Sequence, residues 1–194
     1  MSTPVGIEGS EYRDLQVVNI VASGTLGAGE IDVKTLATDL DVVKTVQPGR
    51  LYLSKSPGTP VGMVFRSGSY TIAGAESWQE VIDTVEWLSQ VLNSVGVDID
   101  REMISVSIVL KYLVATAELG SNVNLAAAAV ALGLERTEYE PEQFPALIYR
   151  PDDSSWTVML FSNGKVTITG GRDVKTAHHI FHDIQATLTE ETGT

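Results

Sequence analysis

The sequence predicts an α+β protein made of two tandem copies of one unit, each an antiparallel sheet with two helices. Three observations predict this class: an internal repeat of roughly 90 residues, strand-like alternation broken by tight-turn signals, and a long amphipathic segment that closes each copy. The chain has 194 residues, 43% of them hydrophobic. That length suits one sizeable domain, or two small ones that share a core.

The internal repeat appears when two segments are aligned. GMVFRSGSYTIAGAES from residue 62 matches TVMLFSNGKVTITGGRD from residue 157, at an offset of 96 that places Phe65 on Phe161. VVNIVASGTLGAGEIDVKTLA from residue 17 likewise matches LKYLVATAELGSNVNLAAAA from residue 110, at an offset of 93. The matches predict an N-terminal tail over 1–14, a first repeat over 15–101, a second over 102–190 and a C-terminal tail over 191–194.

Each copy shows the same order of elements. An apolar strand opens it, over 17–23 and 111–117, and a glycine-bearing turn leads to a short helix with the predicted N-caps Asp32 and Asn124. A meander of three strands follows, over 50–54, 61–66 and 69–73 in the first copy and 146–150, 157–161 and 165–169 in the second. The turns RSGS and SNGK are typical of tight hairpins, because Gly and Asn-Gly accept positive φ.

A long helix closes each copy, since apolar residues recur there at helical spacing. These residues are Trp78, Val81, Ile82, Val85, Leu88, Val91 and Leu92 in the first copy, and Val174, Ala177, Ile180, Phe181, Ile184 and Leu188 in the second. The pattern predicts one antiparallel sheet with its helices on a single face.

The other face of such a sheet must carry the alternate strand residues. We expect it to present small, apolar and almost uncharged side chains: Asn19, Val21, Met63, Phe65, Thr71, Ala73, Tyr112, Val114, Met159, Phe161, Thr167 and Thr169. An exposed apolar face of that extent is typical of a binding surface. A second core and a dimer interface are the open alternatives.

The charge balance is acidic, with 13 basic and 25 acidic residues and a formal net charge of −12. That balance argues against a nucleic-acid partner, because Lys and Arg normally supply most of the non-specific affinity for phosphates. Only six lysines are present and the acids are spread along the chain. This pattern favours a halophilic protein adapted to a salty cytoplasm, and the ordinary acidity of many intracellular proteins is the alternative.

Several classes of function find no support. The chain has no cysteine, which excludes disulfides and thiolate metal sites and favours a reducing cytoplasm. It shows no signal peptide and no apolar run near the roughly 20 residues that cross a bilayer. GTLGAGE matches neither GxGxxG nor the P-loop, and GxSxG is absent, so we expect no enzyme, no catalytic residue and no cofactor.

One segment of the sequence contains a possible pair of metal ligands. His178 and His182 stand four residues apart on a predicted helix, a spacing that holds zinc when a third ligand joins the pair. The position one turn earlier is Val174, and HExxH is absent. We therefore expect no metal.

Three segments carry a family resemblance. EYEPEQFPALIYR (138–150), VMLFSNGKVTITG (158–170) and VNIVASGTL (18–26) resemble the TATA-binding protein family, in particular its archaeal branch, and the resemblance spans about residues 15–190. It implies a saddle of two repeats, each a five-stranded antiparallel sheet with two helices, joined into a ten-stranded curved sheet with helices on the convex face. The family is itself a standard example of minor-groove binding with apolar wedges.

The resemblance implies wedges of unequal kind in the two repeats, since the family uses two phenylalanines in each. Phe144 and Phe161 resemble one such pair, and Pro145 would stiffen the approach. In the first repeat Phe65 resembles the trailing wedge, whereas the offset of 96 places the leading one on Pro48. An alignment on the preceding prolines places it on Leu51 instead. Tyr112 replaces the second of two asparagines in the family, opposite Asn19.

Charged contacts follow from the same resemblance. Arg150 and Lys165 match family residues near the phosphates, their first-repeat counterparts are Ser54 and Ser69, and Arg50 and Arg66 would compensate in part. Glu140, Glu142 and Gln143 resemble the stirrup through which the family holds transcription factor B. An ordinary solvated loop is the alternative for the stirrup.

The resemblance implies a general transcription initiation factor. Such a protein binds the minor groove of a TATA element, bends the DNA by Phe insertion and recruits transcription factor B and, through it, RNA polymerase. We expect it in the cytoplasm at the nucleoid, as a monomer on DNA, with a homodimer left open for the free protein. The alternative is a diverged saddle that acts as a protein-interaction or regulatory module with weakened or lost DNA binding, which the charge, Pro48 and Tyr112 favour.

Overall fold

The computed structural model describes residues 12–192, which divide into two compact units. Unit 1 is Asn19–Lys111, and unit 2 combines residues 12–18 with residues 112–192. Of the predicted tails, residues 1–11 and 193–194 lie outside the described residues. No helix in the described range is long and apolar enough to cross a membrane.

Unit 1 contains a five-stranded antiparallel sheet of strand order β2-β3-β4-β5-β1. Helix α1 packs on β2 and β3, and helix α2 packs on β4 and β5. The bounds are β1 Leu15–Thr25, which begins in unit 2, α1 Val33–Asp39, β2 Val43–Gln47, β3 Arg50–Ser54, β4 Val61–Phe65, β5 Ser69–Ala75, α2 Trp78–Ser94 and α3 Arg101–Ser107.

Unit 2 repeats the arrangement with the strand order β6-β10-β9-β8-β7. Helix α4 packs on β7, β8 and α5, and α5 packs on β10. The bounds are β6 Val109–Glu118, which begins in unit 1, α4 Leu125–Leu132, β7 Thr137–Glu138, β8 Ala146–Tyr149, β9 Thr157–Phe161, β10 Lys165–Thr169 and α5 Val174–Thr192.

The predicted fold class is confirmed. All ten strands belong to one sheet, and every pairing described is antiparallel. The eight strands expected from the sequence are present, with ends displaced by no more than two residues. Both predicted caps are also confirmed, because the Asp32 carboxylate accepts the amides of Lys34 and Thr35, and the Asn124 side chain accepts those of Ala126 and Ala127.

The sequence analysis did not place three elements. Strands β2 and β7 are the outer members of the strand order, and β7 has only two residues, so neither carries a readable alternation. Helix α3 has seven residues, buries only Ile104 and is capped by Asp100. Its last residue, Ser107, accepts the Thr25 amide through its hydroxyl at 3.0 Å, which fixes the helix against the end of β1.

The core of each unit lies between the sheet and the helices. In unit 1 the paired residues Leu51, Val64 and Tyr70 form one fully buried row, and Leu53 and Ile72 belong to the next. Burying one such side chain stabilises the fold by about 1.5–3 kcal/mol. Burial also raises the pKa of the Tyr70 hydroxyl, so that this group stays neutral in the core.

The matched glycines of the repeat have a steric reason. Gly68 and Gly164 follow β4 and β9 in the hairpin turns, with φ of 76° and 82°. A Cβ at either position would collide with a backbone carbonyl oxygen, that of Gly29 in unit 1 and that of Ser121 in unit 2. Each hairpin is thereby packed against the loop that follows the first strand of its repeat, which explains why glycine recurs at the offset of 96.

Candidate nucleic-acid interface

In unit 1 the strand register places four half-exposed side chains in one row across the sheet. Tyr52 pairs with Met63, Met63 with Thr71, and Thr71 with Ser23. Directly opposed residues of an antiparallel sheet share a face. The neighbouring row contains Leu53, Gly62, Ile72 and Ala22, all buried against the helices. The first row therefore lies on the face that the helices leave uncovered.

Unit 2 contains the equivalent row. Ile148 pairs with Met159, Met159 with Thr167, and Thr167 with Thr116, and all four side chains are half-exposed. A second row continues this face: Thr157, Thr169 and Val114 in unit 2, and Val61 and Ala73 in unit 1. We call these rows, together with Asn19, Tyr112, Phe65 and Phe161, the open face of each unit. It carries no ionised side chain within the rows.

The sequence analysis missed six members of the open face: Ser23, Tyr52, Val61, Thr116, Ile148 and Thr157. The signal that could have found some of them is alternation, since Val61 stands two residues before Met63 in β4 and Thr157 two before Met159 in β9. Most of the predicted DNA-binding side chains are half-exposed or exposed: Asn19, Pro48, Met63, Phe65, Thr71, Ala73, Tyr112, Val114, Phe144, Pro145, Arg150, Met159, Phe161, Lys165, Thr167 and Thr169.

Val21 is the exception, and its expected exposure is wrong. This side chain is 7% exposed and lies between the fully buried Ile20 and Ala22. The β1–β5 register shifts at this point, because Ile20 faces Ala75 whereas Ala22 faces Ile72. One extra residue of β5 is accommodated there, so simple alternation does not hold.

Asn19 is fixed in orientation by the same irregularity. Its Oδ1 accepts a hydrogen bond of 2.8 Å from the backbone amide of Gly74, which has φ of 88°. A backbone N–H can only donate, so the side-chain oxygen must point to Gly74 and the amide NH2 must point away from it. Asn19 thus presents donors. At the equivalent position of unit 2, Tyr112 is 39% exposed and offers a hydroxyl instead.

The two phenyl rings of unit 2 contact each other edge to face. The ring centroids of Phe144 and Phe161 are 6.4 Å apart, with an interplanar angle of 64°. Phe144 is 40% exposed. Its backbone is held by Glu140, whose carbonyl oxygen accepts the amides of both Gln143 and Phe144 at 2.9 Å. Phe144 is therefore an exposed ring on a fixed turn.

Three of the four cations that were expected near phosphates have an acidic neighbour, and the fourth, Arg50, donates to the Tyr52 hydroxyl at 3.4 Å. Arg150 contacts Glu138 at 3.1 Å, Lys165 contacts Glu118 at 3.9 Å and Arg66 contacts Glu30 at 3.0 Å. All six side chains are more than half exposed. Such pairs are worth about 0–1 kcal/mol and open readily, but while closed they cancel the local positive charge.

A groove of about 690 Å³ lies beside the open face of unit 2. Its lining mixes an aromatic ring, hydroxyls, amides, two cations and two acids. Among its residues are Arg13, Asp14, Gln16, Thr116, Glu118, Phe161, Asn163, Lys165 and Thr167. Apolar contact and hydrogen bonding are thus available together at the edge where Phe144 and Phe161 meet.

Sequence comparison decides the family. The model of the family described as "Transcription factor TFIID (or TATA-binding protein, TBP)" matches residues 14–95 and 107–190. The chain belongs to the TATA-binding protein family.

Individual members of the TATA-binding protein family match over most of their length. "TATA-box-binding protein E" of Halobacterium salinarum is 36% identical over 179 residues, covering 91% of this chain and 94% of that relative. "TATA-box-binding protein" of Methanothermobacter thermautotrophicus is 39% identical over 180 residues, covering 91% and 96%. The solved structure "Methanococcus jannaschii TBP" superposes with a TM-score of 0.77 at 34% identity, covering 91% and 99%.

These relatives confirm an archaeal-type member of the TATA-binding protein family, and halophilic archaea are among their sources. The prediction that the chain is not an enzyme is also confirmed, because the family is one of transcription factors.

The strand register settles which residue of unit 1 corresponds to Phe144. Arg50 faces Phe65 in the β3–β4 pair, just as Ala146 faces Phe161 in the β8–β9 pair. Counting back two residues aligns Pro48 with Phe144. The alternative Leu51 is excluded as a wedge, because its side chain is fully buried. Pro48 is exposed in the turn between β2 and β3.

The acidic turn before Phe144 is open to solvent. Glu140, Glu142 and Gln143 are all exposed, and the Gln143 amide donates to the Glu140 carboxylate. The backbone carbonyl oxygen of Glu140 accepts the Phe144 amide, and the side chain of Glu140 is exposed to solvent. The turn therefore combines a fixed apolar ring with a cluster of acids.

Proposed function

We propose that this chain is a general transcription initiation factor that binds TATA-box promoter DNA through the minor groove. The observation that carries the proposal is the open face: exposed rows without charge, at whose edge Phe144 and Phe161 stand together. Relatives over nine-tenths of the chain carry the name TATA-box-binding protein. The functional halves we propose are the repeats over 15–101 and 102–190.

The chemistry of the open face fits the minor groove at A·T pairs. That groove presents adenine N3 and thymine O2 as acceptors and lacks the exocyclic amine of guanine. Few polar contacts are then needed, and Met63, Thr71, Met159 and Thr167 can pack against sugars and base edges. The NH2 group of Asn19, turned away from Gly74, supplies a donor for those acceptors.

Phe144 and Phe161 would act as one wedge. Opening a base step costs a few kcal/mol of stacking, which an apolar ring replaces on one side. The turn that hydrogen-bonds Glu140 to Phe144 holds the leading ring in place before DNA arrives. Less ordering is then required on binding.

The wedge of unit 1 would be weaker than that of unit 2. Phe65 has no phenylalanine beside it, since Pro48 occupies the leading position. A proline ring can enter a base step but offers less stacking area than a phenyl ring. We therefore propose that the DNA is unstacked more strongly at the end bound by residues 144–161.

The ion-paired cations support an unusual response to salt. A net charge of −12 repels DNA, and Arg66, Arg150 and Lys165 each lie against an acid. Few counterions would be released from phosphates, whereas acids close to DNA would take up cations. Affinity should then fall little with salt, or rise.

The acidic turn would serve a protein partner. Glu140, Glu142 and Gln143 are exposed beside the wedge and suit a basic surface. We propose that they hold transcription factor B, through which RNA polymerase is recruited. The site of action is intracellular, at the nucleoid, with the protein a monomer on DNA.

A second candidate function has specific support. Pro48, Tyr112 and the paired cations all weaken contacts to DNA relative to the family pattern. The alternative is therefore a protein-interaction or regulatory module with reduced DNA binding. Binding assays on a TATA duplex separate the two.

The wedge can be tested by truncation. Phe144→Ala and Phe161→Ala should each weaken TATA-duplex affinity by roughly 5- to 150-fold, because a base–aromatic contact is worth about 1–3 kcal/mol. Fluorescence anisotropy with wild type and both variants measures the affinity, and 2-aminopurine placed at either end of the duplex reports unstacking. Pro48→Phe should increase unstacking at the weaker end.

Leu134→Ala is the matched control for the wedge variants, because Leu134 is 69% exposed and lies away from the open face. Wild-type affinity in both Phe variants would rule out the wedge. If the wild-type protein shows no preference for the TATA duplex at any salt concentration, the interaction-module alternative is favoured.

The salt response can be tested between low and molar potassium chloride. The slope of log affinity against log salt should be shallow or positive in the wild type. Glu138→Gln with Glu118→Gln removes the acids beside Arg150 and Lys165, and should steepen the decline by about 2 units of slope. Glu86→Gln with Glu102→Gln changes the net charge equally on exposed helix positions. A steep decline already in the wild type would contradict this account.

The acidic turn can be tested by charge reversal. Glu140→Lys with Glu142→Lys should reduce recruitment of transcription factor B to the DNA complex at least about tenfold, while binary DNA affinity stays within about threefold. The binary complex is spared because the backbone of Glu140, rather than its side chain, holds Phe144. Native gel shifts read both, with Glu86→Lys and Glu102→Lys as the control. Parallel loss of both complexes would refute the separate role.

A further inference from the structure

Three side chains of unit 2 converge away from the strand rows. Asp14 precedes β1, and His178 and His182 are one turn apart on α5. His178 Nε2 lies 3.1 Å from Asp14 Oδ1, and His182 Nε2 lies 2.8 Å from Asp14 Oδ2. The two Nε2 atoms are 2.9 Å apart. The third ligand that the histidine spacing requires is thus present, 164 residues away from His178 in the sequence.

Hydrogen bonds alone cannot satisfy all three contacts. Each Nε2 atom carries at most one proton, and a carboxylate contributes none. If both nitrogens donate to Asp14, the two Nε2 atoms stand 2.9 Å apart with no proton left to join them. If one histidine nitrogen instead donates to the other, at least one oxygen of Asp14 is left without a hydrogen-bond donor. A cation bound by both nitrogens and the carboxylate removes this conflict.

We propose that Asp14, His178 and His182 bind one divalent transition-metal ion of the Zn²⁺, Co²⁺ and Ni²⁺ class. Imidazole nitrogen and carboxylate oxygen are usual ligands of these ions, at about 2.0–2.2 Å. Ligand atoms about 2.1 Å from such an ion stand about 3.0 Å apart at right angles and about 3.4 Å apart at tetrahedral angles. The observed separations of 2.8 to 3.1 Å are close to the right-angle value. Water would fill the remaining positions.

The surroundings fix the ligands in place. The Tyr12 ring lies over the His178 ring, with centroids 4.4 Å apart. Phe181, buried in the core, contacts the His182 ring at 5.6 Å. The Asp173 carboxylate accepts the amides of Lys175 and Thr176, which orders the first turn of α5. The site is nonetheless reachable from solvent, because the side chains of His178, His182 and Asp14 are 22%, 45% and 40% exposed.

The consequence is a metal-dependent link within unit 2. The ion would join the segment before β1 to the helix that ends the repeat, and would bind the folded state alone. Stability must then rise with metal concentration by linkage. None of the three ligands belongs to the open face, and Asp14 also lines the groove beside that face in unit 2.

The test uses the full chain without a histidine tag, stripped with a chelator and dialysed into concentrated potassium chloride. Titration calorimetry with ZnCl₂ should show one site per chain, and CoCl₂ should give visible d–d absorption. The melting temperature should rise with added Zn²⁺. Asp14→Asn, His178→Gln and His182→Gln should each lower the Zn²⁺ affinity at least about tenfold.

His179→Gln is the matched control, because His179 is exposed on the same helix turn and outside the cluster. It should leave the affinity, the absorption and the shift in melting temperature unchanged. Circular dichroism of each stripped variant confirms that it is folded. Absence of saturable binding to the wild type, or binding that survives Asp14→Asn and His178→Gln unchanged, would overturn the proposal.

Discussion

The structure depends on one-sided burial of an antiparallel sheet. In both units the helices cover one face, so alternate strand residues such as Leu53 and Ile72, or Leu147 and Leu160, must be apolar to fill the core. The strand residues that alternate with them lie on the other face and do not need to be apolar to fill the core. They are instead small, apolar or hydroxyl-bearing, and the same rows recur in both repeats. Two whole rows of this exposed surface carry no ionised side chain. Exposure to solvent does not by itself require that, so the absence of charge points to a binding role.

The two repeats share the sheet and its buried core but differ in the aromatic and polar side chains next to the rows. Unit 2 has an edge-to-face pair of phenylalanines, Phe144 on an ordered turn and Phe161 at the end of β9, whereas unit 1 has Phe65 and a proline. Unit 1 presents the amide of Asn19, and unit 2 presents the hydroxyl of Tyr112. Strand pairing and core packing constrain the rows, because a change there disturbs two neighbours at once. Turn positions such as Pro48 have no such constraint, so the repeats could diverge there without loss of the fold.

Periodicity was sufficient to predict most of the fold and of the open face. Alternation in β4, β5, β9 and β10 placed Met63, Thr71, Met159 and Thr167 on the correct side, and the 3.6-residue period found α2 and α5. It failed where local geometry departs from the period, as at Val21, where the register shifts. The choice between Pro48 and Leu51 required the strand register, since the preceding segments differ in length. Asp14 could not be joined to His178 from sequence, because only the tertiary fold brings these residues together.

The central claim is that the sheet has one face in the core and one open to DNA, and the four phenylalanines report on both. Phe181 is 1% exposed, whereas Phe65, Phe144 and Phe161 belong to the open side. With 4-fluorophenylalanine incorporated, fluorine NMR should show three resonances broadened by a soluble paramagnetic agent and one protected. A TATA duplex should shift and protect those same three and leave Phe181 unchanged. Protection of Phe144 or Phe161 in the free protein, or a response of Phe181 alone, would contradict the account.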